Sequence, residues 1–148
     1  MATTAVVARS RTKGTLALAK PEGTLTPAQL EVMEAAWNAG PNGATVAEIW
    51  ARIAQGRDVA RTTVLTLVGR LERRGWLLAS NETRGRRYRA ARSRAEAAGR
   101  LAGEFVDDFF GGSASQLVMS LLGSNRLDPH EVRRLRRVLA EAEKEDRP

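Results

Sequence analysis

The chain has 148 residues, 43% of them hydrophobic, with no cysteine, a single histidine and a formal charge of +7. That length fits one compact domain or two small ones sharing a core, and the lack of cysteine excludes disulfides and thiolate metal sites and fits a reducing cytoplasm. A lone His130 cannot assemble the usual zinc or iron centre, so no metal or other cofactor is expected, and no apolar run approaches the ~20 residues of a membrane span.

In chain order, residues 1–23 carry Arg9, Arg11, Lys13 and Lys20 against Glu22. They lack the continuous apolar stretch of a secretion signal. They read as a flexible basic arm more readily than as an organellar transit peptide. Five later segments open with a cap residue followed three positions on by Glu or Gln, the reciprocal pairing that satisfies free amides at a helix start. These are Thr26 with Gln29, Thr45 with Glu48, Ser93 with Glu96, Ser113 with Gln116, and Asp128 with Glu131. Stops follow at Gly40-Pro41, Gly56, Gly75, Gly111-Gly112 and Gly123. With one further helix after Ala60, which has no good cap, the prediction is six helices over 27–39, 46–55, 61–74, 94–110, 114–122 and 129–144.

The third helix has two faces. Val64, Leu67, Val68 and Leu71 share an apolar stripe, while Thr62, Thr63 and Thr66 stand outside it with Leu65, Arg70 and Arg73. Threonine is a poor helix former, so burial does not explain three in five positions. After this helix, "WLLASNETRGRRYRA" has an apolar start, a polar turn and alternation around Tyr88, which predicts a short hairpin. Three helices followed by a basic hairpin is the layout of a winged helix-turn-helix module. The predicted class is therefore mainly α with a small β-hairpin: an arm over 1–23, a winged DNA-binding domain over 24–91 and a three-helix dimerisation region over 92–148.

Charge follows the same division. Residues 91–148 carry ten basic and ten acidic side chains, so the whole surplus sits in the first ninety positions and points to a polyanion there. On a groove-inserted helix the threonines and Leu65 would offer hydroxyls and methyls to base edges. Arg61, Arg70 and Arg73 would meet phosphate or guanine, and Arg84, Arg86, Arg87 and Arg89 of the wing would meet the backbone. In the last three helices Leu101, Phe105 and Phe109 form one stripe, Leu117, Leu121 and Leu122 a second, and Val132, Leu135 and Leu139 a third. Three short amphipathic helices lack enough core to stand alone, so a second copy is the expected cover.

"LTPAQLEVMEAAWNAGPNGATVAEIW", then "RDVARTTVLTLVGRLERRGWL" and "RGRRYRA", resembles the penicillinase-repressor family of winged-helix transcriptional repressors. Its motifs appear as Leu30–Met33, Trp37–Pro41, Thr45–Ile49, Thr62–Gly75 and Gly85–Tyr88, and the likeness covers about residues 24–143. The resemblance implies a homodimeric repressor on a palindromic double-stranded operator, controlling a β-lactam-resistance or related stress operon. The partner it implies is a membrane sensor protease or a protease downstream of it. It puts a candidate release site at Glu104 and Phe105, although Glu104 stands where relatives carry asparagine, and Leu65 stands where relatives often place a polar side chain. The cysteine-rich tail of the copper-responsive branch is absent.

Other residues have plain structural readings. Asp107 and Asp108 point about 100° apart on a helix, which disfavours a paired acid–base site. Trp37, Trp50 and Trp76 sit on or beside apolar stripes and read as core. No enzymatic activity is expected: a nuclease would need clustered carboxylates or a metal set. The other reading is a winged protein-interaction adaptor that does not read DNA.

Overall fold

The structure is a computed structural model that describes residues 21–83 and 85–147. Among these, six helices and one hairpin follow in the order α1 (Pro27–Ala39), α2 (Val46–Ala54), α3 (Arg61–Arg73), β1 (Leu77–Glu82), β2 (Gly85–Ala90), α4 (Arg94–Phe110), α5 (Ala114–Gly123) and α6 (Pro129–Glu145). The predicted architecture, a winged helix-turn-helix followed by a helical C-terminal region, is the one observed. Helix starts follow the capping chemistry. Thr26, Thr45, Ser93 and Asp128 each close a full box with Gln29, Glu48, Glu96 and Glu131. Ser113 only accepts from the Gln116 amide. One stop differs: α5 runs through Gly123, and the left-handed residue after it is Asn125, whose short polar side chain tolerates that conformation.

The described residues divide into two compact units, the first ending at Ala98 and the second beginning at Gly99, so the first turn of α4 lies in the first unit. Two long-range ties hold that turn to α1: Trp37 Nε1 donates to the Arg92 carbonyl at 2.8 Å, and Arg94 forks onto Glu34 at 2.9 Å. Val32, Met33, Ile49, Val64, Val68, Leu71, Trp76 and Leu77 are fully buried and form the core where α1, α2, α3 and the hairpin meet. Each indole also ends on a carbonyl. Trp50 Nε1 donates to Val59 at 2.8 Å and Trp76 Nε1 to Glu22 at 2.9 Å, which lets an amphipathic ring be buried without an orphan donor.

The entrance to α1 is anchored from the far end of α3. Arg74 donates to the carbonyls of Glu22 and Thr24 and to Gln29 Oε1, and its own carbonyl accepts from the Glu22 amide at 2.9 Å. Glu22 and Gly23, read as the end of a flexible arm, are thus pinned to the folded unit. The rest of that arm, residues 1–20, lies outside the described residues.

The second unit differs in kind. Val106 is its one buried large hydrophobic residue among those described, and neither α5 nor α6 buries any side chain. Phe105, Phe109 and Phe110 cluster on α4, the first two stacked at 5.7 Å between ring centroids and the third edge-on. No helix of the described residues is long and apolar enough to cross a membrane.

Candidate nucleic-acid interface

The apolar stripe of α3 sets the direction in which its other face points. Val64, Val68 and Leu71 are fully buried, which leaves Thr62, Thr63, Thr66, Arg61, Arg70 and Arg73 exposed on the other sides of the helix. Leu65 is 54% exposed, an apolar side chain held out among polar ones. Thr66 Oγ1 donates back to the Thr62 carbonyl at 3.1 Å, so its hydroxyl can accept but not donate outward without breaking that bond. Gly69 lies on the same helix, and a β-carbon there would come within ordinary contact, 3.5 Å, of the Arg73 guanidinium. Alone among the described helices, α3 has an N-cap residue, Ala60, that makes no side-chain hydrogen bond. Its first amides are therefore available to an anion.

The hairpin pairs Leu77 with Ala90 through Glu82 with Gly85, and β2 also bridges Ala44 in the turn before α2. Ala44 and Tyr88 exchange both amide bonds at 2.8 Å. Gly43 makes this approach possible. Its φ is +72°, and a β-carbon there would lie 2.4 Å from the Tyr88 carbonyl oxygen.

The arginines sort into two groups. Arg61, Arg70, Arg73 and Arg89 are exposed and form no ion pair with a described residue. Arg86 instead meets Glu72 of α3 at 2.7 Å and lies over the Tyr88 ring at 5.8 Å. The Glu72 carboxylate raises the guanidinium's already high pKa. Arg87 is half-buried and donates to the carbonyls of Asn42 and Gly43 and to Glu48, at 3.1, 2.9 and 3.1 Å. Two of the four candidate wing arginines thus fix the wing to the helix-turn-helix, and Arg84 lies outside the described residues. Sequence reading missed the partners of both, and missed Arg74 altogether; contacts spanning 14 to 52 residues leave no periodic signal.

In the second unit, Phe105, Phe109, Leu122, Leu135 and Leu139 are exposed, with Phe109 at 72% and Leu139 at 63%. Leu101, Leu117, Leu121 and Val132 are half-buried. Val118, Met119 and Val138 are further exposed apolar residues that the sequence stripes left out, although all three extend the same helices. The Glu104–Phe105 bond lies inside α4, and Glu104 is held by Arg100 four residues earlier at 3.2 Å. A protease needs extended backbone, so cutting there requires α4 to unwind locally. Among the described residues no group of three or more His, Asp or Glu side chains gathers as a metal site would require.

Two comparisons bear on this geometry. A family model described as penicillinase repressor matches residues 25–141, from the residue before the first cap to the last turns of α6. No curated protein matches the chain.

Proposed function

The chain belongs to the penicillinase repressor family, a family of transcriptional repressors, and from that premise we propose that it is a sequence-specific DNA-binding repressor acting as a cytoplasmic homodimer on a palindromic operator. Residues 24–91 are the DNA-binding part and the helices of 92–148 the dimerisation part. The observation that carries this reading is the outward presentation of Thr62, Thr63, Leu65 and Thr66 on a helix whose opposite side is locked in the core, with Arg61, Arg70 and Arg73 of that helix and Arg89 of the wing exposed and in no ion pair with a described residue. In the complex α3 enters the major groove, its threonines reading base edges. Arg61, Arg70, Arg73 and Arg89 contact phosphate, joined by Arg84 and, once their present pairs yield, by Arg86 and Arg87. Bound over a promoter, the dimer excludes polymerase. Release follows from a sensor protease system through opening of α4 around Glu104 and Phe105.

Fluorescence anisotropy with the DNA flanking its own gene against random duplex tests the reading. The expected result is operator binding at least ~10³-fold tighter than random binding, with log affinity falling against log salt by about 0.9 per phosphate neutralised. Thr63→Ala should lower operator affinity by roughly tenfold or more while leaving random binding unchanged. Equal, weak affinity for both duplexes would remove the repressor reading and leave the interaction adaptor.

A further inference from the structure

The α6 helix carries a charge pattern that its own chain does not use. Arg133, Arg134, Arg136 and Arg137 fill its first half, and Glu141, Glu143, Glu145 and Asp146 crowd the last turns and the cap, relieved only by Lys144. None of these side chains is in an ion pair with a described residue. The ends of the helix follow its macrodipole, with Asp128 and Glu131 at the N-terminus and Lys144 in the last turn, so the dipole does not explain the run of arginines behind Glu131 or the glutamates around Lys144. Arginine preceding glutamate by four residues, as Arg137 precedes Glu141, is the weaker order for a pair within one helix. Local helix physics does not account for the pattern.

The charges are placed with respect to an unpartnered apolar strip. Leu135, Val138 and Leu139 are exposed and Val132 half-buried. At 3.6 residues per turn, Arg136 and Glu143 flank this strip on one side, and Arg134 and Glu145 flank it on the other. Both pairs are centred on the same point, between Leu139 and Ala140. A second α6 running in the opposite direction about that point therefore brings basic flank to acidic flank on both sides at once. Arg136 faces Glu143 of the partner subunit, Arg134 faces Glu145 of the partner subunit, and the Leu139 residues meet at the centre. A parallel α6 would set arginine against arginine and glutamate against glutamate.

We infer that α6 packs on α6 of a second copy in antiparallel orientation, with Arg134 and Arg136 paired across the two-fold axis to Glu145 and Glu143 of the partner subunit. This rests on the dimeric reading and adds to it a direction and a register. It also gives the dimer an isologous contact, in which each pair occurs twice.

The absence of cysteine makes the test direct. In the full chain, Arg136→Cys, Glu143→Cys and the double variant are oxidised and run on non-reducing gels. Antiparallel pairing in this register lets only the double variant form a covalent dimer, because two copies of either single cysteine sit about seven residues, or ~10 Å, apart along the axis, beyond disulfide reach. Cross-linking by either single variant would show that α6 meets its partner in another register or direction, and cross-linking by none would show that α6 does not face itself; both overturn the inference. Sedimentation of Arg134→Glu/Arg136→Glu supplies the second arm. Its dimer dissociation constant should rise about tenfold at low salt, fall back towards wild type as salt is raised, and recover when Glu143→Arg/Glu145→Arg is added. Reversals with no effect overturn the pairing while a wild-type dimer leaves the repressor reading intact. A wild-type chain that is monomeric at every concentration removes both.

Discussion

The two units of this chain use amphipathic helices to opposite ends. In the first, three helices and a hairpin turn their apolar stripes on one another and fully bury eight large side chains. In the second, the stripes are as regular, yet Phe109 and Leu139 stand mostly in solvent and no side chain of α5 or α6 is more than half-buried. Periodicity specifies that a face will be covered; it does not specify by what. The same pattern produces a self-contained core where several elements converge and an unfinished one where they do not.

The contrast is sharpest in paired truncations. Leu71→Ala removes a fully buried side chain from the first unit and should cost about 2–5 kcal/mol, read as lost amide protection throughout α1 to α3. Phe109→Ala should leave that protection unchanged and weaken self-association instead; a loss of protection in α1 to α3 would end the separation drawn here. Gly43→Ala should come next, lowering stability by about 1–3 kcal/mol, because the new β-carbon meets the Tyr88 carbonyl at a positive φ. A thermal melt within 1 °C of wild type would mean that the wing is not held by this approach.

The smallest effect is in the surface ion pairs. Glu31 and Glu34 are held below the ordinary carboxylate value of 4.5 by hydrogen bonds from Arg57 and Arg94, and Glu48 by the Thr45 amide and by Arg87. Groups with depressed values contribute stability that is complete above 4.5 and is lost as pH falls through the lowered values. Melting should therefore be flat from pH 7 to about 5 and decline below 4.5. Since all three side chains are solvated, the loss should be modest and reduced by salt. Glu34→Gln should flatten the acid limb, which an unrelated cause of acid loss would not do.

Most of the architecture was legible because it is encoded locally. A threonine and a glutamine three apart at Thr26 and Gln29 define the start of α1 without reference to any other part of the chain. The exposed face of α3 was legible for a related reason: once Val64, Val68 and Leu71 point inward, the threonines must point out. What was hidden depends on distant partners. Arg86 and Arg87 read as two more cations of a basic wing, and only the folded chain shows Glu72 and the Asn42–Gly43 turn in front of them. Arg74 carried no signal at all, since the carbonyls it holds lie about fifty residues upstream.

The placement of the three indoles has a practical corollary. Trp37, Trp50 and Trp76, together with the sole tyrosine, all fall before residue 99, and the rings beyond it are phenylalanines. Intrinsic emission excited at the red edge of the protein absorption band therefore reports on the winged unit alone, while the helical far-ultraviolet signal sums over both. The unmodified chain is thus spectroscopically resolved into its two halves, and unfolding of one ahead of the other would appear as two traces that fail to superimpose.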